Sequence, residues 1–122
     1  MGITTAGKRA VAQMIGGVGA VADFDYLALG SSATAFAVGQ TALVAEITTL
    51  GLERAQDATP TEAAAVLSVD YTWTATGAAT LNEVGLLNAA AAGTMLGRTV
   101  LAAPISMVTD ATYKYTYTIT VS

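Results

Sequence analysis

Asp23 and Asp25 flank Phe24 as a D-x-D pair, the spacing at which two carboxylates contribute oxygens to a calcium loop. A calcium site needs six to eight oxygen ligands, so the pair by itself reads as the polar start of a strand. Glu62, Asp70 and Glu83 are the other carboxylates that invite a test. Glycoside hydrolysis uses two carboxyl groups held across one bond. These three lie on separate segments with no sign of a sugar cleft, and isolated carboxylates of this kind are normally surface groups. Gly16-Gly17-Val18-Gly19 is glycine-rich but follows a helical stretch, whereas a phosphate loop runs strand, glycines, helix and carries a lysine. Ser31 and Ser32 follow Gly30, yet the chain has no histidine to activate them, and Lys8 and Lys114 sit in no supporting motif. The expectation is a chain with no catalytic, metal or cofactor site, and not an enzyme.

Two other groups suggest contact. Glu83 lies inside an apolar strand pattern, Asn82-Glu83-Val84-Gly85, where a carboxylate normally pairs with a cation. Arg54 and Arg98 are the candidate partners, and such a pair would pin strand register or a subunit contact. Tyr113, Tyr115 and Tyr117 alternate along the last strand pattern. This row is expected to pack into a core or an interface; together with Trp73 it could instead form a stacking platform for a glycan. Glu83, Arg54, Arg98, Tyr113, Tyr115 and Tyr117 are therefore the candidate interface residues.

Composition points the same way. The 122 residues are 53% hydrophobic and only 11% charged, against about 25% charged in an ordinary domain. A monomer needs a charged surface to stay apart from its copies. The shortage of charge implies that other subunits cover much of this surface. Five basic residues and a net charge of −4 leave no basic patch for nucleic acid. With no cysteine and no histidine, disulfides and the usual zinc, copper and haem ligands are missing. No apolar run reaches the length of a membrane span, and residues 10–15 are too short and too interrupted by Gln13 for a secretion signal.

The elements that would position these residues are mostly strands. Residues 4–15 predict a short helix, capped by Thr4 or Thr5, with Val11, Met14 and Ile15 on one face and glycines 16 and 17 ending it. Residues 24–29 read as a strand, 41–47 as a second short helix, and 50–55 as a strand. Alternation then predicts strands at 65–76 and, most cleanly, at 113–121; between them 80–87 and 94–101 read as strands paired as a hairpin across a small-residue turn, followed by a short edge segment at 105–108 after Pro104. Gly85 and Gly97 inside strands signal bulges or close backbone approach. The sum is a mainly β chain: an antiparallel β-sandwich of six to seven strands with one or two short helices. It is expected to be one domain over 1–122, with the helix and its glycine-rich connection over 1–20 and the sandwich over 21–122.

Several stretches, in order, resemble small structural proteins of tailed bacteriophages. They are Thr5-Ala6-Gly7-Lys8, Tyr26-Leu27-Ala28-Leu29-Gly30, Thr41-Ala42-Leu43, Glu46-Ile47 and Gly51-Leu52-Glu53-Arg54-Ala55. Asn82-Glu83-Val84-Gly85-Leu86-Leu87-Asn88, Gly93-Thr94-Met95-Leu96-Gly97-Arg98 and the closing Tyr-Thr-Ile-Thr-Val strand complete the set. The Glu-Val-Gly-Leu stretch is also similar to the attachment domain of tail-collar fibres. The resemblance implies a virion structural protein, made in the host cytoplasm and contacting other virion proteins. It also implies a homo-oligomer such as a trimer. With no fibre shaft after Val121-Ser122, the expectation is a capsid decoration (cement) protein, with a tail-fibre or tail-tip adaptor as the alternative and a receptor- or glycan-binding module as the second. Neither nucleic acid nor membrane is expected as a partner.

Overall fold

The structure, a computed structural model, describes residues 2–122. Two antiparallel sheets face each other. One has five strands in the order β1-β7-β6-β2-β3 and the other three in the order β4-β5-β8. The strands are β1 (Gly2–Ile3), β2 (Tyr26–Gly30), β3 (Ala55–Gln56), β4 (Thr61–Ala63), β5 (Val66–Thr74), β6 (Ala79–Leu87), β7 (Met95–Met107) and β8 (Thr112–Thr120), with helix α1 (Thr5–Gly16) after β1. This is a β-sandwich with a single N-terminal helix, as the alternating pattern predicts. β5 and β8 are partners in one sheet, while the β6–β7 hairpin between them in sequence belongs to the other. The chain thus crosses between layers on either side of that hairpin.

Alternation explains the core. On β2, Leu27 and Leu29 point inward, and on β5 so do Val69 and Trp73, all almost wholly buried. Tyr117 of β8 and Val84 and Leu86 of β6 complete the inner layer. Burying one such aliphatic side chain contributes about 1.5–3 kcal/mol. A second apolar cluster (Ala28, Leu43, Leu87 and Met95) lies on the outer face of the five-stranded sheet. That sheet is therefore covered on both sides, and its outer cover is irregular chain.

Thr4 caps α1: its Oγ1 accepts from the Gly7 N–H at 2.8 Å and donates to the Met95 carbonyl at 2.6 Å. The cap joins the helix to β7. Gly17 closes the other end in the left-handed region. The helix rests on Leu96 through Gly7, where a Cβ would overlap the Leu96 backbone, and buries Ala10 on the same side. Val11, Met14 and Ile15, the apolar face predicted from spacing, point outward, and Ile15 is 85% exposed. No helix among the described residues is long and apolar enough to cross a membrane.

Three expectations are corrected. Residues 41–47 form no helix, because the Val44 and Ala45 amides bond to Glu83 instead of to a preceding turn. Residues 50–55 are not a strand: Leu50 and Gly51 both take positive φ, and only Ala55–Gln56 pairs with β2. The pattern at 94–101 and that at 105–108 are one strand, β7. Opposite Asn82 its register shifts, and the additional β7 residues, Pro104 among them, bulge there. A bulge is where a sheet tolerates proline, since the ring has no N–H to give the ladder. Gly85 and Gly97 mark close approaches: a Cβ on Gly85 would meet the Leu43 side chain at 2.8 Å, and one on Gly97 the Tyr117 hydroxyl at 2.8 Å.

Candidate functional site

Glu83 on β6 and Arg98 on β7 are wholly buried and joined at 2.7 Å, Nε to Oε1. The register places Arg98 opposite Gly85 and Glu83 opposite Val100, so the pair reaches diagonally across the ladder. The same carboxylate organises the long irregular segment that follows β2. Its Oε1 also accepts from the Val44 N–H at 3.0 Å. Its Oε2 accepts from the Ala45 N–H at 2.8 Å and the Ser32 N–H at 3.2 Å. Arg98 donates through Nη1 to the Thr34 carbonyl at 2.8 Å. One ion pair therefore grips residues 32–45 at both ends and holds Leu43 against the outer apolar cluster.

Burying a charge is costly unless it is paired and its remaining donors and acceptors are met. Here they are: among the described residues no buried side-chain nitrogen or oxygen lacks a partner. Room for the carboxylate comes from Gly30, which faces Glu83 across the β2–β6 ladder; a Cβ there would overlap Glu83 Oε2. A glycine at a strand end, opposite a glutamate in an apolar strand, is the sequence signal of this arrangement.

Arg54 does not join Glu83. It meets Glu46 in a two-pronged contact, Nη2 to Oε1 at 2.7 Å and Nε to Oε2 at 3.0 Å. Its Nη1 donates to the Ala89 and Ala92 carbonyls at 3.0 and 2.9 Å, tying down the β6–β7 turn. Guanidinium suits this role because its planar fork donates in several directions at once. Glu46 was not among the candidate residues; its signal is a lone carboxylate eight positions before an arginine, which has no helical or strand meaning. Two arginine–glutamate pairs thus staple the segment between β2 and β3 to the sheet. Glu83 and Arg98 have no surface to offer another subunit, and Arg54 keeps little.

The tyrosines fall on the inner side of β8. Tyr117 is buried, Tyr113 and Tyr115 are half-buried, and the rings of Tyr115 and Tyr117 are 5.8 Å apart. Burial pushes the Tyr117 hydroxyl up to about 12, with the neighbouring Tyr115 adding to this and a hydrogen bond from Thr99 opposing it. Burial raises Tyr113 as well, with Tyr115 again adding to it. Trp73 is 2% exposed and donates its indole N–H to the Glu53 carbonyl at 2.9 Å. Trp73 therefore presents no open ring for stacking, and a platform of Tyr113, Tyr115 and Trp73 is not formed.

Asp23 and Asp25 sit at the rim of a different feature. Val11, Met14 and Ile15 of α1 face Phe24, Leu67 and Ile119 across a cleft of about 620 Å³. Its walls are chiefly aliphatic, and Asp25 accepts there from Gln56 at 2.8 Å. No group of three or more metal-ligating side chains occurs among the described residues. The chain matches no family model, and no curated protein is similar to it.

Proposed function

We propose that this chain is a structural assembly protein of a tailed-phage virion, a capsid decoration protein that stabilises the head surface through subunit contacts. The observation that carries the assembly role is the outward apolar face of α1. Val11, Met14, Ile15 and Val18 are exposed together and continue into the aliphatic cleft bounded by Phe24, Leu67 and Ile119. A chain with 11% charged residues has little with which to solvate such a face, and contiguous exposed apolar surface marks contact sites. The internal staples suit the same role. They hold the irregular cover of the sheet in one shape, so that copies present identical surfaces. The virion setting rests on the ordered resemblance of the sequence segments to phage structural proteins.

Mass spectrometry of purified particles tests this reading. Hundreds of copies per particle support a place on the head, and about three to eighteen copies place the chain at the tail as a fibre or tip adaptor. Particles that lack the chain overturn the virion assignment.

A further inference from the structure

We infer that the free edge of β8 is a self-pairing site, at which a second copy of this chain adds its own β8 antiparallel to form one continuous six-stranded sheet. The inference names the partner for the assembly role proposed above and rests on that reading.

β8 pairs with β5 along all nine of its residues, and among the described residues no strand pairs with its other side. Two bonds fix which backbone groups face outward. The Ala111 carbonyl accepts from Ala75 at 2.8 Å, and the Val121 N–H donates to Ala65 at 2.9 Å, each continuing the β5–β8 ladder. Both are odd-numbered positions. In an antiparallel ladder a residue's N–H and C=O point to the same side, and the side alternates along the strand. The even-numbered residues, Thr112, Lys114, Thr116, Thr118 and Thr120, therefore turn both groups to the open edge.

Natural sheets blunt such edges with proline, bulges, charge or brevity. The other edges here follow that rule. β3 and β4 are two and three residues long, and the part of β7 beyond β1 carries the irregular stretch with Pro104. β8 has neither proline nor bulge, and its one charge is Lys114. Its sequence is also complementary to itself. A two-fold axis through Thr116 is the register that pairs the whole strand. It sets outward-turned residue against outward-turned residue, with Lys114 opposite Thr118 of the other copy and Thr112 opposite Thr120. On the inner side Tyr115 meets Tyr117 of the other copy. Threonine–threonine and aromatic cross-strand pairs are favourable, and an axis at Lys114 would instead oppose two like charges. Such an interface is closed, because each copy uses its β8 edge once.

Sedimentation equilibrium on the purified full chain and three variants tests the inference. The wild type is expected to be a dimer. Thr116→Pro removes an outward N–H that the protomer does not use, and is expected to be a monomer with an unchanged circular dichroism spectrum. Thr118→Glu faces Lys114 of the other copy twice and is expected to tighten the dimer about five-fold. Thr118→Lys is expected to weaken it by a similar factor, with both effects shrinking in high salt. If Thr116→Pro fails to fold, the charge pair at 118 decides. A wild type that stays monomeric, or an oligomer indifferent to the charge at 118, overturns the inference. Particle composition stays a separate reading. A chain found on particles but indifferent at 118 sinks the edge pairing alone. A chain absent from particles that dimerises in this register sinks the virion assignment alone.

Discussion

Arg98 Nε lies 2.7 Å from Glu83 Oε1, and neither side chain has any surface open to solvent. The partners come from adjacent strands, but the groups they hold, the Ser32, Val44 and Ala45 amides on Glu83 and the Thr34 carbonyl on Arg98, come from a segment with almost no regular structure. The pair converts two strands into an anchor for that segment. Connections of this length without their own secondary structure are uncommon in compact domains. This one is held by charge-assisted hydrogen bonds and by the single large apolar side chain, Leu43, that it contributes to the outer cluster.

Glu83→Gln is expected to destabilise the chain by about 3–5 kcal/mol in urea unfolding, because it leaves Arg98 buried without its counter-charge. Amide exchange at Ser32, Val44 and Ala45 should accelerate more than exchange in β5. The double variant Glu83→Gln with Arg98→Met should recover part of the loss, so that the two single costs do not add. Equal and additive costs would contradict the anchoring role.

The β4–β5 turn is expected to be improvable. Ala63 pairs with Val66, which leaves Ala64 and Ala65 as a two-residue loop. Both have positive φ, 51° and 65°. These are the signs of a type I′ turn, which favours Asn-Gly, and alanine there is strained. Changing Ala64→Asn together with Ala65→Gly should raise stability by about 1–2 kcal/mol, read as a higher urea midpoint at unchanged slope.

Alkaline pH should weaken the sandwich through Tyr117. Its folded value of about 12 lies above the ordinary 10.0, so the folded state favours the neutral phenol. The associated stability is fully present below pH 10 and is lost as pH rises through about 12. The loss is on the order of 2 kcal/mol. Tyr113 shifts in the same direction. Tyr117→Phe should flatten most of the decline in stability between pH 10 and 12, measured by urea unfolding at a series of pH values. A decline of the same size in that variant would remove Tyr117 as the cause.

The sequence alone marks the strands whose side chains alternate: β5 and β8 are legible from period-two patterning, since each has one face in the core and one outside it, whereas β6 is buried on both faces and reads only as an apolar run. It also determined the capped helix, the Glu83–Arg98 pairing as one of two choices, and the shortage of charge that makes an assembly role the leading expectation. Tertiary contacts settled the places where a local pattern lost to a distant partner. Residues 41–47 have helical spacing, yet the Val44 and Ala45 amides are bound by a glutamate 39 and 38 positions away. Pro104 reads as a break, yet a bulge lets β7 continue through it. Arg54 was a possible partner for Glu83 until the fold set Glu46 and the β6–β7 turn around it. The helix shows the same limit in reverse. Spacing gathers Val11, Met14 and Ile15 on one face, but the close approach of Gly7 to Leu96 and the burial of Ala10 turned that face outward. Periodicity reports which residues share a side. Only the packing of one element on another says which side is covered.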